Sequence, residues 1–227
     1  WWLSALALIG VALVGWGTSL GIGRLRPANP DGPVPLNPFK RTFGDLGFLF
    51  NRRALFLAAC GTTFFWLLAA LAQANVDLFA RNTLVVEQKH VGILLAVIFL
   101  GIGLGSALAG LWSGGKVELG IVPVGAAGIA AAALLLWTVP AGAPGAPSMT
   151  GYYWSCLWLL LLGTSAGLYD IPLQAFLQQR SPENARGRIL AATNFMAFSG
   201  MLLSSGILWI LSDGLGLSAR GIFGVAA

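Results

Sequence analysis

Apolar residues fall along this chain in long blocks, separated by short clusters of charge, proline and glycine. The longest block runs fifty-one residues, Leu119 to Tyr169, without one charged side chain, and only Pro140-Ala-Gly-Ala-Pro-Gly-Ala-Pro147 breaks it. About 20 apolar residues cross a hydrocarbon core of roughly 30 Å. The block therefore predicts two membrane helices, with a tight turn at the breaker cluster. The same grammar predicts spans at Trp1–Gly23, Ala54–Val76, Val91–Gly115, Leu119–Val139, Tyr152–Tyr169 with some continuation, and Ile189–Ser212. Barrel strands would be ~10 residues long with polar alternation. A backbone in lipid must also close its hydrogen bonds within the segment. The expected fold class is an all-α membrane protein, a polytopic helical bundle of about six spans plus the start of a seventh at Gly221–Ala227.

One connection is long, Arg24 to Arg53. Its prolines 27, 30, 33, 35 and 38 predict an extended, semi-rigid start. The stretch Thr42-Phe-Gly-Asp-Leu-Gly-Phe-Leu-Phe50 is amphipathic enough to lie on the membrane surface. This connection divides the chain into 1–23, 24–53 and 54–227, read as the last helix of one bundle, a central loop and a second bundle. The chain opens Trp1-Trp2 inside an apolar run, which lacks the basic start of a secretory signal. The expectation is a piece of a longer protein.

Charged residues are 9% of the chain, against about 25% in a globular domain, too few to coat a soluble surface. The net charge of +5 raises nucleic acid as a partner, and the placement of the basic residues decides against it. Arg24, Arg26, Lys40, Arg41, Arg52, Arg53, Lys116, Arg180, Arg186 and Arg188 fall on one side of the predicted spans. Only Arg81, Lys89 and Arg220 fall on the other. Such a bias marks the cytoplasmic side, where the cations meet anionic lipid headgroups. Membrane lipids are thus expected partners and nucleic acid is not. Cys60 and Cys156 lie in separate apolar runs and His90 is the sole histidine, so neither a disulfide scaffold nor a zinc site is expected, and no cofactor is implied. No Ser/His/Asp set or phosphate-binding glycine loop is visible, so no enzymatic activity is expected of this chain.

Between the fifth and sixth predicted spans lies Ser181-Pro-Glu-Asn-Ala-Arg186-Gly-Arg188. Ser181 fits an N-cap, Pro182 the first helical position and Glu183 the positive helix end, with the arginines anchoring the next span. A well-capped helix with a basic anchor accounts for all of this. Pro-Glu-x-x-Arg-Gly at a cytoplasmic turn also resembles the major facilitator superfamily, where such loops join the fourth to the fifth and the tenth to the eleventh of twelve helices. On that template the chain carries helix six, the central loop, helices seven to eleven and the start of twelve. The runs Tyr169-Asp-Ile-Pro-Leu-Gln-Ala-Phe-Leu-Gln-Gln-Arg180 and Arg186-Gly-Arg-Ile-Leu-Ala-Ala-Thr-Asn194-Phe resemble the lysophospholipid transporter branch. So do Phe64-Phe-Trp66 and Lys116-Val-Glu-Leu-Gly-Ile-Val-Pro123. That branch moves lysophospholipids, notably lysophosphatidylethanolamine, across the bacterial inner membrane for reacylation. Some members are fused to an acyltransferase. The resemblance implies a multi-pass inner-membrane carrier, a lysophospholipid or amphipathic substrate, a coupling cation, and an acyltransferase in cis or in trans. The glycine-acidic-basic loop motif of the superfamily reads Gly110-Leu-Trp-Ser-Gly-Gly-Lys116 here. It has no aspartate, so gating contacts of that acid are not carried over.

An ionisable group in mid-membrane costs roughly 2.5–3.5 kcal/mol. Asp170 follows eighteen uncharged residues and precedes Ile171-Pro172, where a missing amide can kink a helix. If the helix reaches Gln178, Asp170 lies about 12 Å inside its end. It is a candidate for a coupling cation or a headgroup amine, or else a helix-end acid pairing with Arg180 or Arg186. Asp77 and Arg81 are spaced to pair on one helix face. Gln73, Asn75 and Asn194 offer amides for a headgroup or for neighbouring helices. Gly101, Gly103, Gly105 and Gly110 with Ser106 form a small-residue face, expected at a close helix contact. The expected function is alternating-access transport of lysophospholipid. The alternatives are an exporter of drug-like or other amphipathic solutes, the membrane part of a bifunctional acyltransferase, and a channel or scaffold.

Overall fold

The computed structural model describes residues 2–23 and 38–227, and the regular structure among them is helical. The chain divides into two compact units, Trp1–Leu36 and Asn37–Ala227. The first holds α1 (Trp2–Ser19), whose described side chains are all exposed. Two hydroxyls near its end bond back to its own backbone, Thr18 Oγ1 to Gly15 O at 2.9 Å and Ser19 Oγ to Trp16 O at 2.7 Å. Polar side chains tolerate lipid in this way, without an outside partner. The proline-rich start of the long connection, Pro27 to Pro35, lies outside the described residues.

The second unit comprises α2 (Pro38–Phe50), α3 (Arg53–Phe79), α4 (Gln88–Ser113), α5 (Ile121–Trp137), α6 (Met149–Arg180), α7 (Arg186–Trp209) and α8 (Ala219–Ala226). Pro38 opens α2 at the position where a missing N–H costs nothing. π turns at Ala80–Leu84 and Ile210–Gly214 extend α3 and α7, and a 3-10 turn at Glu183–Ala185 leads into α7. Among the described residues, four segments are long and apolar enough to cross a membrane: Arg53–Leu84, Gln88–Ser113, Met149–Arg180 and Glu183–Gly214. α1 and α5 are shorter, at 18 and 17 residues. α6 is longer at both ends than the uncharged run that predicted it. A charge ends an uncharged run, but it does not end a helix.

The breaker cluster is the tight turn its composition predicts. Ala143 and Ala146 exchange backbone hydrogen bonds of 3.1 and 2.9 Å across Pro144-Gly145, and Gly145 takes the left-handed φ of 77° that such a turn demands. The hairpin is fastened to the end of α3 by Gly142 N–H to Thr83 O, 2.7 Å, and Ser148 N–H to Leu84 O, 3.0 Å. Val85, just beyond the π turn, sits at φ 58°. That conformation is costly for a β-branched residue, and it is held here as Val86 N–H reaches back to Ala80 O at 3.1 Å.

The helix pairings follow an internal exchange. α4 packs on α6 and α3 on α7, α5 packs on α6 and α8 on α3, while α3–α6 and α5–α8 also touch. Mapping α3, α4 and α5 onto α6, α7 and α8 carries this set of pairs onto itself. That is the signature of two structural repeats of three helices. The closest packing is α4 on α6. A Cβ added at Gly101 would stand 2.5 Å from Leu160 O, and one at Gly105 would meet the backbone of Thr164. From the other side, a Cβ at Gly167 would lie 2.5 Å from Ser106 N and 2.7 Å from Gly105 C. Backbones approach this closely where small residues line the contact, and here both helices supply glycine. Gly103 and Gly110 face open space, so the small-residue face divides by helical phase.

One sequence expectation is corrected. Ser181 does not cap α7. Its hydroxyl donates to Leu177 O at 2.5 Å and closes the end of α6, and α7 begins only after the 3-10 turn. Pro182 and the 3-10 turn place four residues between Ser181 and the first α-helical amide, beyond the reach of a cap.

Candidate functional site

α6 runs unbroken through Pro172 to Arg180. Asp170 therefore lies about 15 Å inside its basic end, deeper than the sequence estimate. Proline supplies no N–H at position 172, so the Leu168 carbonyl loses that helical donor. Asp170 is half-buried, and its Oδ1 is buried without a hydrogen-bond partner. Gln174, one turn on, interacts with the carboxylate. The neighbouring Tyr169 ties this level of α6 to α3: its hydroxyl donates to Gly61 O at 3.3 Å, and its ring stacks on Phe65 with centroids 5.6 Å apart. At the same level Thr62 in α3 is 1% exposed, and its hydroxyl also lacks a partner. Buried oxygens left unsatisfied are rare and call for water, an ion or a ligand.

The other predicted residues do not join Asp170. Asp77 pairs with Arg81 at 3.0 Å, as its spacing implies, with both side chains well exposed. It lies sixteen residues beyond Gly61 on α3, about 24 Å along the helix. Asn75 is fully buried, and its amide donates to Ala219 O at 2.8 Å, fastening α3 to the start of α8. Gln73 and Asn194 are exposed, Asn194 on the basic half of α7. The five candidates thus fall in two different halves of the bundle, with Asp170 inside the basic half rather than at its end. Thr62 was not singled out, because one hydroxyl in an apolar run carries no pattern.

The described residues form a groove beside this level and a cavity away from it. One, of about 430 Å³, is an apolar groove between α3, α5, α6 and α8, walled by Phe64, Phe65, Ile129, Tyr169 and Phe223. It lies on the surface of α3 that corresponds, by the internal exchange, to the surface of α6 covered by α5. It is a helix-packing groove. The other, of about 570 Å³, opens at the far end between the π turns that finish α3 and α7, with Asn82, Ser205, Trp209, Ser212 and Asp213 in its wall.

At the basic end a cluster appears that sequence spacing could not reveal. Asp45 of α2 is 6% exposed and accepts from Arg188 Nε at 2.6 Å, with Arg41 Nε at 3.9 Å. The Phe48 ring beside it carries two guanidinium groups, Arg52 at 3.9 Å and Arg188 at 4.6 Å from its centroid. Asp45 and Arg188 are 143 residues apart. The one local hint is that Asp45 shares a helix face with Leu49.

A family model described as Major Facilitator Superfamily matches residues 1–205. No curated protein and no solved structure matches the chain.

Proposed function

This chain belongs to the major facilitator superfamily, and from that premise we propose that it is the C-terminal part of a lysophospholipid transporter of the bacterial inner membrane. Secondary transport of small molecules and a multi-pass membrane location come with the family. The lysophospholipid substrate rests on the sequence resemblance around Tyr169–Arg180 and Arg186–Asn194. In this reading, residues 1–23 end an N-terminal bundle, 24–53 form the cytoplasmic connection, and 54–227 build the second bundle. The two bundles rock about a shared site to give alternating access.

The observation that carries the mechanism is the buried, unpartnered Oδ1 of Asp170 within a membrane-spanning helix. An acid retained at that depth costs energy and needs a cationic counterpart. A coupling cation or a headgroup ammonium is the group that such a carboxylate suits, and Thr62 Oγ1, beside the Gly61 that Tyr169 contacts, is another buried oxygen without a partner. The test is Asp170→Asn in the full-length protein, reconstituted in vesicles with lysophosphatidylethanolamine as substrate. Flux is expected to fall severalfold or to lose its ion dependence, while membrane insertion is retained. Normal flux with normal ion dependence would remove Asp170 from the mechanism. Transport of amphipathic drugs without lysophospholipid flux would replace the substrate assignment with the exporter reading.

A further inference from the structure

At 100° per residue, Phe43, Gly47 and Phe50 form a stripe on α2 directly opposite Asp45 and Leu49. The inner pair is buried: Leu49 is fully enclosed in a cluster with Leu55, Leu173, Leu177 and Ile189, and Asp45 is held by Arg188. The outer stripe is not covered, with Phe43 67% and Phe50 57% exposed. Phe50 touches Phe56 at the start of α3, centroids 4.5 Å apart, and exposed Leu57 and Phe64 continue the apolar surface along α3. The charges around Phe48 do not balance. Arg41 and Arg188 share the one carboxylate of Asp45, while Arg52 stacks on Phe48 and has no acidic partner among the described residues. Burying Asp45 also leaves α2 with no acid on its outer surface.

We propose that α2 is an anionic-lipid-binding strap. Asp45 and Leu49 fasten its inner face to the basic end of α7 and α3. Phe43 and Phe50 enter the headgroup layer, and Arg41 and Arg52 bind the phosphodiester of an anionic phospholipid in the cytoplasmic leaflet. Arginine suits this role, since its planar fork pairs with phosphate while its face stacks on an aromatic ring. By the same count Arg41 lies on the Asp45 side of α2 with its side chain mostly exposed, and Arg52 stands just beyond the helix end; side chains of this length reach the headgroups while the aromatic stripe enters the layer. The leaflet assignment rests on the cytoplasmic orientation given above, whereas the lipid site itself does not depend on the transported substrate.

The test uses the full-length protein in nanodiscs of one part phosphatidylglycerol to four parts phosphatidylcholine, with co-purifying lipid measured after detergent extraction. Phosphatidylglycerol should be retained severalfold above its bulk share. Arg41→Gln with Arg52→Gln should return retention to the bulk ratio, and Lys89→Gln, at the opposite end, should leave it unchanged. Spin labels at Phe43→Cys and Phe50→Cys, on a background lacking Cys60 and Cys156, should be reached by oxygen and shielded from a water-soluble nickel complex. Retention at the bulk ratio, or retention indifferent to the double arginine change, overturns the proposal. So do labels open to the nickel complex. Labels shielded from both reagents overturn it in favour of a protein surface, such as the other bundle. Displacement of the phosphatidylglycerol by lysophosphatidylethanolamine would make the site part of the transport path and also overturn the strap. None of these readouts requires flux, so a failed substrate assignment remains distinguishable.

Discussion

The α4–α6 contact permits a prediction that separates two effects of the same chemical change. Replacing a helical glycine by alanine lowers the entropy lost on folding and gains about 0.5–1 kcal/mol where space allows. Gly103 and Gly167 differ only in that space. Nothing lies within 4 Å of a Cβ at Gly103, while one at Gly167 meets Ser106 N at 2.5 Å and Gly105 C at 2.7 Å. Both obstacles are backbone, so no side chain can swing aside. Restoring ordinary contact requires the helices to part by roughly 1 Å, and overpacking of that kind costs about 1–3 kcal/mol. Gly103→Ala should therefore be neutral to stabilising, and Gly167→Ala destabilising. The two variants should differ by about 1–3 kcal/mol, or ~5- to 150-fold in the unfolding constant. Cys60 and Cys156 are free and partly buried in α3 and α6, so a thiol-reactive dye reports bundle opening during a thermal ramp. Equal transition temperatures for the two variants would refute the close-packing argument, as would a lower one for Gly103→Ala.

Three further outcomes follow from local geometry. Arg188→Gln strands a buried carboxylate with only Arg41 at 3.9 Å. It should cost about 1–3 kcal/mol, less than a fully buried pair because Arg188 is partly solvated, and Asp45→Asn in the same chain should restore much of the loss in denaturation of the full-length protein. Asn75→Ala should lower stability by about 0.6–1.7 kcal/mol through its lost bond to Ala219, whereas Asp77→Asn should cost only about 0.2–0.5 kcal/mol; an equal effect of the two in the same denaturation assay would contradict the burial contrast. Single cysteines between Pro140 and Gly151 and between Arg180 and Arg188, on a background without Cys60 and Cys156, should label from opposite sides of the membrane, and labelling from one side would end the topology.

Much of the bundle was legible in the residues alone, because lipid makes the rule local. Any long uncharged run must satisfy its own backbone, so the runs around residues 54–76, 91–115, 119–139 and 189–212 had to be helical. Pro144-Gly145 had to turn, since that turn needs a positive φ at its third residue. Asp77 and Arg81 had to meet, because four residues make one helical turn. Local spacing could not say where helix faces meet each other. Gly101 and Gly103 look alike in sequence, yet 200° of helical rotation puts one against Thr164 and the other in open space. Asn75 offers an amide in the sequence, and only the structure shows its N–H donating to Ala219 O while its Oδ1 stays buried without a partner; Ser181 has the sequence of a cap for α7, yet its hydroxyl closes α6. Asp45 met Arg188 across 143 residues. Partners that far apart are set by how whole helices pack, and only the tertiary structure carries that information.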